Sequence, residues 1–472
     1  MTVPSITIVG GGLAGCEAAW QAASRGVSVT LYERRPGRSS AVHRTGLLAE
    51  LVCSNSLRSD KLDNAVGLLK EEMRRLRSLV IREADRTRVP AGAALAVDRE
   101  RFAEAVTSAI EGHPLVVVRR EEVTTIPTSS MEAPVILATG PLTSDELAAG
   151  VAAMVGRHHL AFYDAISPIV LAESIDHDRV FRASRWGRSL GAPMPDTSTE
   201  PAASGEGDYL NCPFTREEYE RFYAALMAGE RAQLHDPDSA RFFEGCLPIE
   251  VMAERGADTL RFGPMKPVGL VDPRTGRQPY AVVQLRQDNL AGDHFSLVGF
   301  QTQLKWGEQS RVFRLIPGLE RAEFVRFGMV HRNTYVNAPL VLDSTWTVRG
   351  REGLFLAGQV SGVEGYVESA ASGLMAGINA TLLALGRPTS VPPPTTAMGA
   401  LAHYVSHADP RHYEPTNITF GIIAPLESAD RRLRRNRVAR NLALADRALS
   451  ELTDWVERTT LRPPDLGSAI GG

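Results

Sequence analysis

SITIVGGGLAG, residues 5–15, places a glycine-rich turn directly after a short apolar strand. Residues 16–25 follow with the composition of a helix, and a second apolar strand at 27–32 ends on Glu33. Strand, glycine turn, helix, strand and acid occur in the order of the βαβ unit that binds dinucleotides. An ordinary glycine turn is the competing interpretation. The flanking elements favour the dinucleotide site, and with it a Rossmann-like α/β fold.

The positions of the motif have separate physical roles. Gly10 allows the tight turn, Gly12 lets the backbone approach a pyrophosphate, and Gly15 lets the helix pack closely on the strand. The pyrophosphate would lie against the free N–H groups at the start of the helix. Glu33 lies 23 residues after Gly10, where an acid can reach the adenosine ribose. The cofactor-binding residues predicted in this unit are Gly10, Gly11, Gly12, Leu13, Ala14, Gly15 and Glu33.

Length and charge bound the remaining possibilities. A chain of 472 residues is too long for one compact core, so we expect two or three domains. The formal net charge of −3 provides no overall attraction to nucleic acid, so an RNA contact requires a local basic patch. No apolar run approaches the ~20 residues of a membrane span, and the first residues do not have the pattern of a signal peptide. We therefore expect no membrane association.

The cysteines are widely spread and form no Cys-x-x-Cys pair; they are Cys16, Cys53, Cys212 and Cys246. This pattern argues against a disulfide framework or a zinc site, and indicates reduced thiols in a cytoplasmic protein with no bound metal. Cys16 falls within the first helix and is interpreted as a packing residue. Cys212, in an Asn-Cys-Pro sequence, receives no assignment.

Two later segments repeat the pattern of a buried strand that ends on glycine. The first, residues 134–140, ends at Gly140, and the second, residues 353–359, passes through Gly358 and Gln359 into a helix of small residues at 368–385. Together with the first unit they predict one domain that binds FAD rather than NAD alone, because the longer flavin cofactor requires a second contact. Gly140, Gly358 and Gln359 complete the predicted cofactor site.

The predicted fold is therefore an FAD-binding Rossmann-like domain of the glutathione-reductase type with an inserted α/β domain. Its predicted divisions are 1–150 for the first part of the FAD-binding domain, 151–327 for the inserted substrate domain, 328–426 for the second part, and 427–472 for a basic C-terminal helix and tail.

Three other regions have a distinctive composition. Residues 61–84 have the apolar spacing of one amphipathic helix, with a charged face expected to be solvated. Residues 187–208 are rich in Gly, Pro, Ser and Thr, which predicts a flexible surface insertion. A helix predicted at 430–458 has the apolar spacing Leu433, Val438, Leu442, Leu449 and Leu452 and begins with the most basic run of the chain. That run is interpreted equally well as a solvated helix start or as a contact with RNA phosphates.

Two cysteines lie where the chain leaves regular structure. Cys53 follows an apolar run and precedes small polar residues, and Cys246 follows a glycine and precedes a proline turn. Such turns can expose a thiol beside a ligand. A buried, inert cysteine that packs as a small hydrophobe is the alternative for each.

Longer segments resemble the folate-dependent tRNA uracil-5-methyltransferase family, and the resemblance extends from the glycine motif to about residue 424. The segments are LVCSNSLRSD (51–60), NAVGLLKEEMR (64–74), VPAGAALAVDR (89–99), FEGCLPIEVMAERG (243–256), FGPMKPVGL (262–270), PYAVVQLRQD (279–288), VGFQTQLKWGEQ (298–309), HRNTYVNAP (331–339) and AGQVSGVEGYVESAASGLMAGINA (357–380). Residues 187–208 depart from the family by their extra length.

This resemblance implies an activity. Members of the family convert uridine 54 in the T-loop of tRNA to ribothymidine. The one-carbon unit comes from 5,10-methylenetetrahydrofolate, and the hydride comes from FAD that NADH or NADPH has reduced. By the resemblance, Cys246 matches the cysteine that attacks uracil C6. Cys53 matches a second functional cysteine near the flavin, which either assists as an acid or base or acts as an alternative nucleophile. The implied partners are tRNA, folate and nicotinamide, with no obligate protein partner.

Other side chains are weaker candidates. A working thiolate needs a cation nearby, for which Arg58 and Lys266 are available, although ion pairing is the more common role for both. A polar and aromatic cluster before the last flavin strand would either stack on a ring of the cofactor or form a core corner; it contains His331, Arg332, Asn333 and Tyr335. Lys305 and Trp306 receive no role.

Three other functions remain open from the residues. The 358–380 segment also resembles the related flavoprotein that modifies wobble uridines of tRNA. A flavin enzyme acting on a small molecule, by disulfide reduction or monooxygenation, is a second alternative, although Cys53 and Cys246 are 193 residues apart rather than adjacent. A non-catalytic RNA-binding flavoprotein is the third, in which neither thiol matters beyond stability.

Overall fold

The structure is a computed structural model that describes residues 4–38, 42–141, 143–155, 159–187, 207–232, 247–426 and 436–459, with 159–165 and 330–334 described by their backbone. The strands are β1 (Ser5–Val9), β2 (Ser28–Tyr32), β3 (Ser56–Ser59), β4 (Arg88–Val89), β5 (Ala94–Val97), β6 (Val116–Arg119), β7 (Val135–Leu137), β8 (His159–Ala165), β9 (Ile169–Leu171), β10 (Phe181–Arg182), β11 (Tyr209–Phe214), β12 (Ala281–Gln287), β13 (His294–Leu297), β14 (Phe324–Arg326), β15 (Val330–Val336) and β16 (Leu354–Leu356). The helices are α1 (Leu13–Ala23), α2 (Ala65–Arg75), α3 (Leu79–Arg86), α4 (Arg99–Glu111), α5 (Asp145–Val155), α6 (Arg216–Ala228), α7 (Ile249–Glu254), α8 (Thr259–Phe262), α9 (Trp306–Phe313), α10 (Ala338–Val341), α11 (Tyr366–Ala384), α12 (Ala397–His407) and α13 (Arg437–Arg458).

The first sheet is parallel throughout and has the strand order β16-β7-β1-β2-β6. The three segments that end in glycine turns, β1, β7 and β16, are therefore neighbours, although β16 lies more than 300 residues after β1 in the chain. Their carboxyl ends meet at one edge of the sheet, where α/β proteins bind their ligands. The predicted Rossmann-like fold is confirmed.

Two helices of small residues hold this edge together. Helix α1 packs against α11 so closely that a Cβ atom on Gly373 would lie 2.2 Å from the Ala14 carbonyl oxygen, and one on Gly377 would lie 2.7 Å from the Ala18 Cα. Helix α1 begins at Leu13 rather than at the predicted residue 16, because Gly12, with φ −78° and ψ −170°, is already its N-cap. Residues 13–15 thus present their backbone from within the helix.

The second sheet is antiparallel, with the order β10-β11-β12-β13-β9-β14, and it has a separate hydrophobic core formed with α6, α7 and α9. Two smaller sheets connect the parts: β15 pairs with β8, and β3, β5 and β4 form a three-stranded sheet. The chain thus inserts its antiparallel sheet between β7 and β16. The predicted domain boundaries themselves stay a prediction.

The single amphipathic helix predicted over 61–84 is wrong. The chain forms α2 and α3 instead, separated by Arg77 in the left-handed region at φ +55° and by Ser78, whose hydroxyl caps α3 by accepting the Ile81 N–H. The apolar spacing continues across the break, and only the local cap at Ser78 marks the start of a second helix.

The expectation of a solvated charged face is wrong for Lys70 and Glu72, which are fully buried, whereas Arg75 on α2 is exposed. The Lys70 ammonium donates to the backbone carbonyls of residues 57, 58 and 59 at 2.7–3.1 Å. The Glu72 carboxylate accepts the first free N–H groups of α12, from Ala397 and Met398 at 2.7 and 2.8 Å. Both side chains satisfy backbone groups that would otherwise have no partner. Burial lowers the pKa of Lys70 to about 7 and raises the pKa of Glu72 to about 8.

The C-terminal helix α13 covers part of the predicted 430–458 range. Leu449 and Leu452 are buried as predicted, whereas Val438 and Leu442 are 49% and 40% exposed, so their predicted place on the packed face is wrong. Leu433 lies outside the described residues. Of the basic run, Arg437 and Arg440 are exposed, and Arg431, Arg432, Arg434 and Arg435 lie outside the described residues, as do 188–206 of the predicted insertion. Within the ranges described, none of the helices is both long enough and apolar enough to cross a membrane.

Candidate functional site

One cavity of about 440 Å³ lies at the carboxyl edge of the parallel sheet and reaches the antiparallel sheet. All the predicted cofactor residues except Gly15 line it: Gly10, Gly11, Gly12, Leu13, Ala14, Glu33, Gly140, Gly358 and Gln359. Cys53 lines the same space, together with Val298 and Gly299 after β13. The structure therefore brings the glycine turns of three strands and one predicted thiol into a single cavity.

The glycines of the site divide into packed and open positions. A Cβ on Gly15 would lie 1.8 Å from the Gly10 carbonyl oxygen, and Gly10 itself, at φ +107°, approaches the Ala138 carbonyl. By contrast, a Cβ on Gly12 or Gly140 would meet no atom within 4 Å. The packed glycines bring helix and strand together, and the open ones leave backbone accessible to a ligand, as a pyrophosphate requires.

Glu33 is buried and has its carboxylate oriented by two partners. It accepts the Gly11 N–H at 2.9 Å and pairs with the Arg35 guanidinium at 2.9 Å. Burial alone would raise the pKa of Glu33, but the hydrogen bonds and charge of Arg35 outweigh burial and hold it below its usual value. The acid is therefore ionised at the end of β2, where the motif places it. Its contact with a ribose stays a prediction, and Arg35 is a partner that the sequence did not reveal.

His43 also lines the cavity beside this pair, and we expect it to make stability depend on pH. Burial, with the charge of Arg35, lowers the pKa of His43 to about 4. An unfolded histidine has a pKa of about 6.5, so between these values the unfolded state binds the extra proton and the folded state loses stability as pH falls. In urea titrations from about pH 7 to 4, His43→Gln should lose less stability than the wild type. Parallel curves would show that His43 does not titrate in this way.

Three arginines from separate elements hold the segment that contains Cys53. Arg99 of α4 donates to the Leu51 carbonyl at 3.1 Å, and Arg326 of β14 donates to the Val52 carbonyl. Arg286 of β12 donates at 2.8 Å to the side chains of Ser54 and Asn55. Two of the three come from the antiparallel sheet. The loop is therefore fixed where the two sheets meet.

Tyr366, at the start of α11, completes the support of the same loop. Its phenol oxygen accepts the backbone N–H groups of Cys53 at 2.6 Å and Ser54 at 3.2 Å. Burial raises the pKa of Tyr366, so the phenol stays neutral. The guanidinium of Arg326 donates to the carbonyl of Val52, the residue next to Cys53 in the chain, and a cation near a thiol can stabilise its thiolate. The loop, the phenol and the guanidinium together hold the Cys53 thiol beside the glycine turns after β1, β7 and β16, which we call the glycine cradle.

The similarity of the chain to known proteins agrees with this arrangement. The family model described as glucose inhibited division protein A matches residues 5–388. A protein of Symbiobacterium thermophilum named methylenetetrahydrofolate--tRNA-(uracil-5-)-methyltransferase TrmFO is 58% identical over the whole of both chains. A protein of Desulforudis audaxviator with the same name is 59% identical over 96% of this chain and 98% of its own. The chain belongs to the TrmFO family.

Solved structures agree on the fold. Two crystal forms of GidA from Aquifex aeolicus each align with 97% of this chain and with 73% and 77% of their own, at a TM-score of 0.65 and 18% identity. Identity at this level shows the fold alone. The Rossmann-like architecture of this TrmFO family member is therefore shared with GidA.

The cations considered for the thiols have the following surroundings in this TrmFO family member. Arg58 lines the cavity but pairs with the buried carboxylate of Glu368, and Lys266 is exposed on the surface. Arg326 is a cation that holds the Cys53 loop, and the sequence did not single it out because it lies 273 residues away, on β14. Cys246 lies outside the described residues, so its place relative to Cys53 stays a prediction.

The remaining candidate residues whose side chains are described lie in the hydrophobic core or make contacts at the surface. Cys16 and Cys212 are fully buried, and burial raises the pKa of both thiols, as expected for packing residues. Tyr335 is buried in the core near Tyr413, which agrees with the core-corner interpretation; the side chains of His331, Arg332 and Asn333 lie outside the described residues. Lys305 pairs with Glu230 at 2.7 Å, and the exposed Trp306 stacks on Phe327. Within the described residues, no group of three or more His, Cys, Asp or Glu could hold a metal ion.

Proposed function

We propose that this chain methylates C5 of uridine 54 in tRNA, with 5,10-methylenetetrahydrofolate as the carbon donor and NADH or NADPH as the reductant of bound FAD. The observation that carries the proposal is the single cavity in which Cys53 and the glycine cradle lie together. Full-length relatives at 58% and 59% identity that bear the methyltransferase name support it. We also propose the cytoplasm as its location.

The described residues fit a flavin dinucleotide. The open backbone at Gly12 and Gly140 leaves room for the pyrophosphate at the start of α1, and Glu33 would receive the adenosine ribose. Gly358, at φ +74°, and Gln359 would hold the far end of the cofactor near the start of α11. When bound, FAD would supply the hydride that completes the methyl group.

Two cysteines and the residues around them would activate the uracil of the substrate. Cys246 is proposed to add to uracil C6, which makes C5 nucleophilic, and Cys53 is proposed to hold or remove a proton as the acid or base of the reaction. The guanidinium of Arg326 would favour the thiolate form of Cys53 Sγ, and the phenol of Tyr366 fixes the loop that presents it. The target uridine must leave its stack in the tRNA to reach this cavity.

A reconstituted reaction tests the proposal. Purified holoprotein is incubated with unmodified tRNA transcript, methylenetetrahydrofolate and NADH or NADPH, and the RNA is digested and analysed for ribothymidine. Formation of ribothymidine only when folate and reductant are both present is the expected result. Ribothymidine formed from S-adenosylmethionine without folate would refute the mechanism, and a modified wobble uridine would indicate the related flavoprotein activity instead.

The hydroxyl of Tyr366 provides a second, narrower prediction. Tyr366→Phe removes the acceptor of the Cys53 and Ser54 N–H groups, and a buried donor left without a partner costs about 1–3 kcal/mol. We expect methylation to slow about 5- to 100-fold with flavin content unchanged, because the loop and not the glycine cradle is disturbed. Tyr404→Phe, which removes a phenol that donates to the Glu414 carbonyl, is the matched control. Equal rates for both variants would contradict the role of Tyr366.

A further inference from the structure

An exposed aromatic surface lies on the antiparallel-sheet domain. Phe262, at the end of α8, is 81% exposed, and Trp186, in the left-handed region at φ +59°, is 45% exposed. The Trp186 ring lies over Gly269, where a Cβ would come within 2.8 Å of it. Val268, which precedes Gly269 in the chain, is 37% exposed. We call these three residues, Phe262, Trp186 and Val268, together with Lys266, the Phe262 surface.

The Phe262 surface adjoins the cavity. Pro264 packs on Gly299, whose added Cβ would lie 2.7 Å from the proline Cβ, and Gly299 lines the cavity. Phe262 is two residues from Pro264, so their Cα atoms are at most ~7 Å apart. Arg185 donates to the carbonyls of Lys266 and Val268 and holds the Trp186 turn against the same loop. The exposed rings therefore lie beside the wall of the cavity.

The charge of this region is positive although the whole chain is negative. Residues 182–187 and 258–272 contain four basic residues and two acidic ones, Asp258 and Asp272, whereas the chain has a net charge of −3. Asp272 pairs with Arg274, outside this range. Arg261 pairs with Asp258 and Arg185 binds carbonyls, which leaves Arg182 and Lys266 directed to solvent as exposed residues. Exposed rings with cations nearby are the combination that binds unstacked nucleic acid, because bases stack on the rings and phosphates attract the cations.

We propose that the Phe262 surface binds tRNA next to the target uridine, with the Phe262 ring stacked on a base that is unstacked when the uridine enters the cavity. This inference rests on the proposed function, which supplies the RNA. It explains why an apolar ring is kept in solvent at this position: the cavity must receive a base from an RNA whose stacking has been broken, and a ring at its edge replaces the lost stacking partner.

Binding of unmodified tRNA transcript to the holoprotein tests the inference. Phe262→Ala should weaken binding, and raise the KM for tRNA, by about 5- to 100-fold, the range for loss of one base-stacking contact. Phe262→Trp should restore binding, since it keeps a ring. Leu385→Ala, at a residue of similar type that is 43% exposed after α11, is the control and should bind as the wild type does. The KM for methylenetetrahydrofolate should be unchanged in all three.

Salt dependence and oligomeric state distinguish a contact with RNA from a contact between copies of the chain. Lys266→Gln should reduce the slope of log affinity against log salt by about one, the loss of one phosphate contact. Wild-type tRNA affinity in Phe262→Ala would overturn the inference while leaving the proposed function intact if ribothymidine still forms. If Phe262→Ala changed the oligomeric state but not the affinity for tRNA, the surface would be a contact between copies of the chain, and the inference would be overturned. Absence of ribothymidine from the wild type would instead refute the proposed function.

Discussion

Gly15→Ala is expected to yield a protein that holds no flavin and is less stable by about 3 kcal/mol. The added Cβ would lie 1.8 Å from the Gly10 carbonyl oxygen, and both atoms belong to backbone that cannot rotate away. Helix α1 would have to separate from β1, which disrupts the cradle and the core together, and overpacking of this kind costs about 1–3 kcal/mol. Flavin absorbance after purification and urea unfolding measure the two effects.

Gly12→Ala separates cofactor binding from folding. No atom lies within 4 Å of its added Cβ, so the free energy of unfolding of the apoprotein should change by less than about 0.5 kcal/mol. The methyl group would nevertheless occupy the space left for a pyrophosphate, so flavin should be lost. Gly307→Ala, in α9 and equally open, should retain both flavin and stability. Retention of flavin and stability by Gly15→Ala would show that α1 and β1 are not packed as described.

The fold could be predicted because its signals are local. A strand, a glycine turn and a helix follow one another within residues 5–23, and the later strands at 135–137 and 354–356 repeat the pattern, so their membership of one Rossmann-like domain followed from the sequence. The same reasoning failed over residues 61–84. Apolar spacing cannot distinguish a solvated lysine from Lys70, whose ammonium meets three carbonyls of a neighbouring strand. Such partners are set by tertiary packing.

The candidate site was predictable on its glycine side and less so on its thiol side. The βαβ unit itself places Gly12 and Glu33, so the sequence motif is sufficient to predict their positions in the site. Arg326 and Arg286 reach the Cys53 loop from strands more than 200 residues later in the chain. The sequence around an arginine in a strand does not indicate which distant group its side chain will bind. Tyr366 was part of a segment that resembles the family, but its hydrogen bonds to the loop depend on how α11 meets residues 53 and 54.

The second large effect is expected at the cysteines. Cys246→Ala should abolish ribothymidine formation, by a factor of at least about 10³, because a covalent nucleophile has no substitute, while the glycines and Glu33 proposed to hold the flavin are unchanged, so the protein should keep its flavin. Cys53→Ala should also lower methylation strongly. Cys212→Ala, at a buried thiol of the antiparallel sheet, should retain activity at a small cost in stability.

Alkylation of the folded protein tests the placement of Cys53 independently of turnover. Cys53 lines the cavity beside the charge of Arg326, so iodoacetamide should modify it in the apoprotein and more slowly in the holoprotein, where flavin shares the space. Cys16 and Cys212 are fully buried with their pKa raised, and should react only on unfolding. Substantial methylation by Cys246→Ala would rule out its role as nucleophile. Equal alkylation of Cys53 with and without flavin would instead place the cofactor away from the thiol, and the single cavity would no longer account for the reaction.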